Sequence, residues 1–377
     1  MIAWTHLLFL PLLAHIVSVI RWTAGMRHTL DSRGPLLSQQ DVPLTVILPV
    51  RNEADALPKL LSDLAAQTLL PQRVIVVDDS SEDGTIDTVK RDGPWPFALT
   101  LMANPGQGKK AGLSAGIRAC TTTWAIGVDG DTRLGPEAIH AIAQSLSVHG
   151  AGWDMALLPL RIVNAPDGSP PSLFGQLQAL DFAAMQGWAI TAVRRGKPAM
   201  ASGGGWVWRC SAFPHDRLRP ELPSGDDVFA LAALLEDGHA HRVGWIDDVR
   251  AMVSAASMPS LVQLLDQRIR WGAKTARYPR TLKRAKRVAW TVSLVHLCGA
   301  VLLLVDPWAG LGYWSVKSAL DMVYAHCVGR RFTLLPSSAS GTLKSLIALA
   351  VAHPIFVATT LLVMPLRTAR WKGRPAA

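Results

Sequence analysis

Three runs without a charged side chain constrain this chain more than any other feature. Residues 1–20, 288–305 and 345–366 contain no Lys, Arg, Asp or Glu. Each comes close to the roughly 20 apolar residues that a membrane-crossing helix needs. They occupy the two ends of a 377-residue chain, which leaves the stretch 42–257 to fold as one domain of ordinary size. The apolar content of 49% is concentrated in those ends.

The net charge of +10 is distributed around the same runs. Arg21, Arg27 and Arg33 follow the first. Arg277, Arg280, Lys283, Arg284, Lys286 and Arg287 precede the second, and Arg367, Arg370, Lys372 and Arg374 follow the third. Basic clusters placed beside apolar spans point to membrane lipids with anionic headgroups and to cytoplasmic retention, rather than to nucleic acid. The first run has no basic residue before it and no small-residue cleavage pattern after it, so it is expected to anchor the chain. The expected location is the cytoplasmic membrane, crossed several times, with the central domain facing the cytoplasm. The expected organisation is an anchor (1–22), the central domain (42–257), an amphipathic and basic interfacial segment (258–287), a C-terminal membrane region (288–366) and a basic tail (367–377). Within that region 308–326 is ambiguous, because it carries Lys317 and Asp321. The positive-inside rule favours an arrangement in which 288–305 and 345–366 cross and 308–326 does not. Four cysteines, Cys120, Cys210, Cys298 and Cys327, form no CxxC pair and read as reduced thiols rather than a disulfide or zinc framework.

From Leu44 the sequence alternates short β-type runs with helical ones. "LTVILP", "RVIVV", "FALTLM" and "WAIGV" read as strands. "NEADALPKLLSDLAAQTL" places Leu57, Leu60, Leu61 and Leu64 at helical spacing, with Asn52 as a candidate cap. A polar helix is expected from Glu82 to Arg91, and another over "KKAGLSAGIRAC". Such alternation predicts an α/β domain with a mostly parallel sheet flanked by helices. Ligands of these sheets bind at the carboxyl ends of the strands. There the sequence puts Asp78 and Asp79, then "NPGQGKK", then Asp129, Gly130 and Asp131. Carboxylates at two strand ends beside a lysine pair suggest a site for a cation and a phosphorylated ligand. No G-x-G-x-x-G follows the first strand, and "ANPGQGKKA" has Ala103 and Lys110 where a P-loop needs Gly and Ser or Thr.

Six segments in order, "VILPVRNEADAL", "VIVVDDSSEDGT", "GKKAGLSAGI", "VDGDTRL", "SGDDVFAL" and "QRIRW", resemble glycosyltransferase family 2 with its GT-A fold, in the membrane-bound branch marked by Q-x-x-R-W. The resemblance runs from about Val42 to Lys274. It implies an inverting transferase that takes a sugar from a nucleotide-diphosphate donor, usually a UDP-sugar, to a lipid or glycan acceptor with Mg²⁺ or Mn²⁺. Position by position it implies that Asp79 contacts the base and that Lys109 approaches the diphosphate. It puts Asp129 at the ribose and metal, and Asp131 on the metal. Asp227 is implied as the catalytic base, supported by Asp226, and Gln267, Arg270 and Trp271 line the acceptor and diphosphate region. "ASGGGWVW" matches a small-residue loop that lets the acceptor approach.

The chemistry agrees with these residue types. A departing nucleoside diphosphate needs its charge met by a cation on oxygen ligands or by a planar arginine fork. An acceptor hydroxyl needs a carboxylate within hydrogen-bond reach to take its proton. Plainer readings stand beside these. Asp226 and Asp227 could simply favour a helix N-terminus, and Leu261, Leu264, Leu265 and Ile269 with Arg268 could mark a surface helix at the interface. Asp247 and Asp248 lack a surrounding motif and read as a solvated turn. The scattered histidines receive no metal role. Few C-terminal helices are available to shield a polymer, so one or a few sugars added to a membrane lipid is favoured over processive synthesis.

Overall fold

The computed structural model describes residues 5–26, 42–163, 172–222, 224–364, 370–371 and 374–375. Arg27, Arg33, Arg367 and Lys372 of the basic clusters lie outside them. The strands form where apolar residues run continuously, because a strand covered on both faces cannot afford alternation. β1 (Leu44–Val50), β2 (Arg73–Asp78), β3 (Ala98–Ala103) and β4 (Trp124–Val128) pair in parallel in the order β3-β2-β1-β4. The sheet is extended by β8 (Gly205–Arg209), antiparallel to β4, and then by β6 (Met155–Leu157) and β9 (Val243–Trp245). A small second sheet joins β5 (Thr132–Leu134), β10 (Val253–Ala256) and β7 (Leu160–Val163).

The connecting helices supply both cores. In α2 (Leu57–Ala65) the four predicted leucines are fully buried against β1 and β2. Asn52 is not its cap. Its backbone is left-handed, with φ 51°, and its side-chain oxygen accepts from the Glu82 amide at 3.0 Å, so it ties two loops together while the helix starts five residues later. The polar helix shortens to α3 (Thr85–Arg91), because Asp83 accepts from the Ala54 amide and from Thr85 and holds 82–84 as loop. α4 (Gly108–Arg118), α5 (Ala138–His149), α6 (Leu173–Arg194) and α7 (Asp226–Glu236) complete the domain, and α8 (Leu261–Thr275) carries "QRIRW".

Outside the domain, α1 (Leu10–Gly25), α9 (Lys283–Val305), α10 (Pro307–Arg331) and α11 (Ala339–Val363) are long helices. Among the described residues three helical stretches are long and apolar enough to cross a membrane: Thr5–Gly25, Arg280–Val305 and Ala339–Val363. The ambiguous 308–326 lies wholly within α10, which runs back along α9. The Tyr313 hydroxyl donates to the Val295 carbonyl at 3.0 Å, Trp314 lies against Gly299 and Leu303 against Gly310. α10 then reaches the domain, where Arg331 and Arg194 both pair with Asp247. The acidic pair Asp247 and Asp248 is therefore not a solvated turn. Asp247 anchors α6 and α10, while Asp248 is buried and chelated by Arg250 at 2.6 Å. Arg194 and Arg331, from separate helices, converge on the half-buried Asp247, whose charge offsets the cost of bringing them together.

Candidate active site

All nine residues singled out from the sequence line one cavity of about 1430 Å³. It opens at the carboxyl ends of β1, β2 and β4, where the strand order reverses and an α/β sheet leaves a crevice. Each side chain reaches it through a local device. Asp79 follows β2 and is buried. Its Oδ1 accepts from Asn104 Nδ2 and from the Gly108 amide, both at 2.9 Å. Arg51, after β1, donates to the Asp79 and Ser80 carbonyls at 2.7 and 2.9 Å, so these contacts clamp the loop beside the crevice.

Gly108 opens α4 with φ 81°, a conformation that costs glycine little. The following lysines diverge. Lys110 turns into the core and donates to the carbonyls of Arg219 and Leu222 at 2.7 and 2.9 Å. Lys109 enters the site, where its Nζ lies 2.6 Å from Asp129 Oδ1 and 3.2 Å from Asp226 Oδ2 and donates to the Gly203 carbonyl at 2.8 Å. Burial by itself would lower the Lys109 pKa, but Asp129, Asp226 and Asp227 outweigh it and hold the ammonium above the ordinary lysine range.

Asp129 and Asp131 sit on the turn between β4 and β5, with Asp131 exposed. Burial pushes Asp129 up, with Lys109 opposing and the like charge of Asp131 adding to the rise. The glycine loop before β8 passes against this group. A methyl on Gly204 would stand 3.5 Å from Asp129 Oδ2 and 2.8 Å from Leu160 Cδ1, so the loop's small residues make room beside the carboxylate.

Asp226 and Asp227 form the first turn of α7 after Gly225, whose φ is 90°. The helix dipole favours them there, yet both are buried and both face the cavity, so the capping role and the site role coincide. Asp227 Oδ1 lies 3.6 Å from Lys274 Nζ. Burial raises the Asp227 pKa above the ordinary carboxylate range, Lys274 opposes that rise and Asp226 adds to it. Four acidic side chains thus face two ammonium groups and Arg270. Burial lowers the Arg270 pKa, and Asp129, Asp226 and Asp227 pull against it.

The donor set suits a hard divalent cation. Asp129 and Asp131 offer carboxylate oxygens at one rim, while the buried Asp226 Oδ2 is met by the Lys109 ammonium at 3.2 Å. Among the described residues no three metal-binding side chains converge. A cation held here would therefore complete its shell with phosphate oxygens and water, the usual habit of Mg²⁺ in phosphate sites.

α8 brings Gln267, Arg270, Trp271 and Lys274 to the cavity. Sequence reading missed Lys274, although the spacing of three, four and seven from Gln267 places it on the same helix face. The opposite face is not a bare interfacial surface. Leu264, Leu265, Arg268 and Ile269 are buried and only Leu261 is exposed, because the C-terminal end of α11 covers Ile269 with Val363 and Met364. Trp271 is wedged between Phe182, 5.9 Å away, and the Arg268 guanidinium, 4.6 Å from its ring. Arg268 also donates to Asp181 on α6 at 2.6 Å. Asp181 was likewise missed, since nothing in the sequence links residues 181 and 268.

Residues 45–213 match the family described as Glycosyl transferase family 2. The undecaprenyl-phosphate 4-deoxy-4-formamido-L-arabinose transferase of Serratia proteamaculans is 31% identical over 117 residues, covering 30% of this chain and 35% of that protein. The 4,4'-diaponeurosporenoate glycosyltransferase of Staphylococcus haemolyticus is 32% identical over 126 residues, 33% of each chain. The match thus spans about a third of the length of these relatives. The poly-beta-1,6-N-acetyl-D-glucosamine synthase of Staphylococcus aureus is 23% identical over 192 residues, 49% of this chain and 44% of that one. In fold, the chain is similar to the mannosyltransferase PcManGT from Pyrobaculum calidifontis, solved with GDP-Man and Mn²⁺. The TM-score is 0.53 at 18% identity, with 93% of this chain and 96% of the other covered.

Proposed function

This chain carries a glycosyl transferase family 2 domain, and from that premise we propose that it transfers a sugar from a nucleoside diphosphate sugar to the hydroxyl of a membrane lipid, inverting the anomeric centre. The observation that carries the reading is one cavity with two ends. Asp129, Asp131, Asp226 and Asp227 stand at its polar mouth, and its walls continue between α9, α10 and α11.

In the proposed step, Asp227 accepts the acceptor's hydroxyl proton as the oxygen forms its bond to the anomeric carbon. The bond from that carbon to the diphosphate oxygen breaks on the opposite face, and the electron pair leaves with the diphosphate. Asp129 and Asp131 would hold Mg²⁺ or Mn²⁺, which supplies Lewis-acid stabilisation of that leaving oxygen. Arg270 presents a planar fork to phosphate. Lys109 is already engaged by Asp129 and Asp226, so its part is to hold those carboxylates apart until the diphosphate arrives. Trp271 offers the acceptor an edge whose position Phe182 and Arg268 fix.

A screen of nucleotide sugars, read as nucleoside diphosphate release with membrane lipid extract as acceptor, tests the reading. A discrete organic-extractable glycolipid is the expected product, and a long water-soluble polymer made without added lipid would replace this reading by a synthase.

The pH profile follows from the site. A base must be ionised to act, and burial raises the Asp227 pKa. The acid limb of kcat/KM is therefore expected above the ordinary aspartate range, with activity rising through it and levelling at higher pH. A limb at the unperturbed value would remove Asp227 from the role.

The topology we infer is α1, α9 and α10 crossing the bilayer, with the domain and the tail in the cytoplasm. α10 crosses despite Lys317 and Asp321 because they pair with each other at 2.8 Å. The segment entering α11 touches the domain, where Gln176 donates to the Leu334 carbonyl at 2.7 Å, and the helix's C-terminal end lies over Ile269, so both ends are on the domain's side. A cysteine at Asp306 is expected to be labelled only from the outside, and one at Ser337 only from the cytoplasm. Outside labelling at Ser337 would instead make α10 a non-crossing helix and α11 a span.

A further inference from the structure

The proposed transfer step leaves one buried ammonium of the domain unused. Lys109 lines the cavity, whereas Lys110, the next residue of α4, is buried outside it with 6% of its surface exposed. Its Nζ donates to the Arg219 carbonyl at 2.7 Å and to the Leu222 carbonyl at 2.9 Å. The same Nζ stands 5.0 Å from the centre of the Phe229 ring, a distance at which a cation is attracted to an aromatic face. Arg219 holds its turn with φ 56°, and its carbonyl also accepts from the Leu222 amide at 3.0 Å. The Arg219 guanidinium lies 5.5 Å from the Phe229 ring, so cations from two segments address one side chain. Tyr278 meets that ring edge-on, with centres 6.3 Å apart.

Phe229 lies two residues past Asp227 in α7. It packs against Gly225, where a methyl would stand 2.9 Å from the ring, and its amide donates to the Gly225 carbonyl at 2.9 Å. Lys110 therefore holds the chain on both sides of Asp226 and Asp227, at the 219–222 turn before them and at Phe229 after them. Stability alone does not call for an ammonium here, since well-packed apolar side chains often replace buried charges without loss. Burial pushes the Lys110 pKa down to about 8, with Asp226, Glu221 and Asp227 opposing that fall. We propose that Lys110 is a positioning residue for the acid pair of α7: it fixes the 219–222 turn and Phe229, and through them sets the place of the Asp227 carboxylate. α4 opens at Gly108, whose amide donates to Asp79, so one short helix links the Asp79 loop to the base. The inference rests on the reading of Asp227 as that base.

The test uses the full-length protein in detergent and Lys110→Met, which keeps the side chain's bulk but cannot donate. Hydrogen–deuterium exchange reports the clamp without any substrate. The peptide covering 219–229 is expected to exchange about tenfold or more faster, as loss of two hydrogen bonds from a charged donor allows, while β4 keeps its rate. Turnover of nucleotide sugar with membrane lipid extract should fall roughly 10- to 100-fold, the effect of a small misplacement near the reacting atoms. Calorimetric binding of UDP should change little. With Asp227→Asn already in place, the same change should cost less than about threefold, because a residue acting through another loses its effect once that one is gone. Lys110→Arg, which keeps donors for both carbonyls, should recover part of the turnover. Phe229→Leu, which removes the ring that the ammonium faces, should show the same pattern in milder form and replaces Lys110→Met if that variant does not fold. Unchanged exchange at 219–229, unchanged turnover, or an equal loss in both backgrounds would overturn the proposal. Asp227→Asn that loses turnover beside a Lys110→Met that keeps it removes this inference alone, whereas an Asp227→Asn that keeps turnover removes the reading on which it rests.

Discussion

Asp227→Asn is expected to lower turnover by roughly 10²- to 10⁴-fold, the usual contribution of a positioned general base. The substitution keeps the side chain's shape at the first turn of α7, so the buried site should pack as before. It removes only the capacity to take a proton. Asp129 and Asp131 are untouched, and nucleoside diphosphate binding should stay within a few-fold of the original. Lys274, 3.6 Å from Asp227, loses a counter-charge. Turnover and calorimetric titration of the nucleoside diphosphate on the same folded variant separate the two effects. Near-normal turnover would show that Asp227 is only an N-terminal helix acid.

Asp131→Ala should weaken Mn²⁺-dependent binding of nucleoside diphosphate by about 100-fold. Changes to groups that merely support metal ligands already cost 10- to 100-fold, and here an oxygen ligand and a negative charge are lost together. Asp131 is exposed on its turn, so the fold should tolerate the change. Asp129 would remain at that rim, paired to Lys109. Titrations with Mn²⁺ and with chelator present the contrast. Binding to the unaltered protein that ignores both would refute the metal reading, and an unchanged Asp131→Ala titration would move the cation to another carboxylate.

Much of the domain was legible because its signals are local. Short continuous apolar runs such as "WAIGV", bounded by turn residues, fit strands covered on both faces, and leucines at 57, 60, 61 and 64 define one face of one helix. The acidic positions after the strands followed from the sheet's polarity, without knowledge of what they touch. Boundaries failed where a loop contact overrode local preference, as at Asn52, which binds Glu82 across the crevice rather than capping its own helix.

What the sequence by itself determined was therefore the apolar ends, the alternating domain and the set of carboxylates that face its crevice. Only the tertiary structure decided how charges separated by long stretches of chain neutralise one another. Lys109 meets Asp129 and Asp226, Arg268 meets Asp181, Asp247 gathers Arg194 and Arg331, and Asp321 gathers His15 and Lys317. These partners share no periodicity and no motif. Their pairing arises because each would be costly to bury alone, and which helices bring them together is set by packing over the whole chain. For the same reason α10 runs along α9 with Lys317 and Asp321 turned to each other.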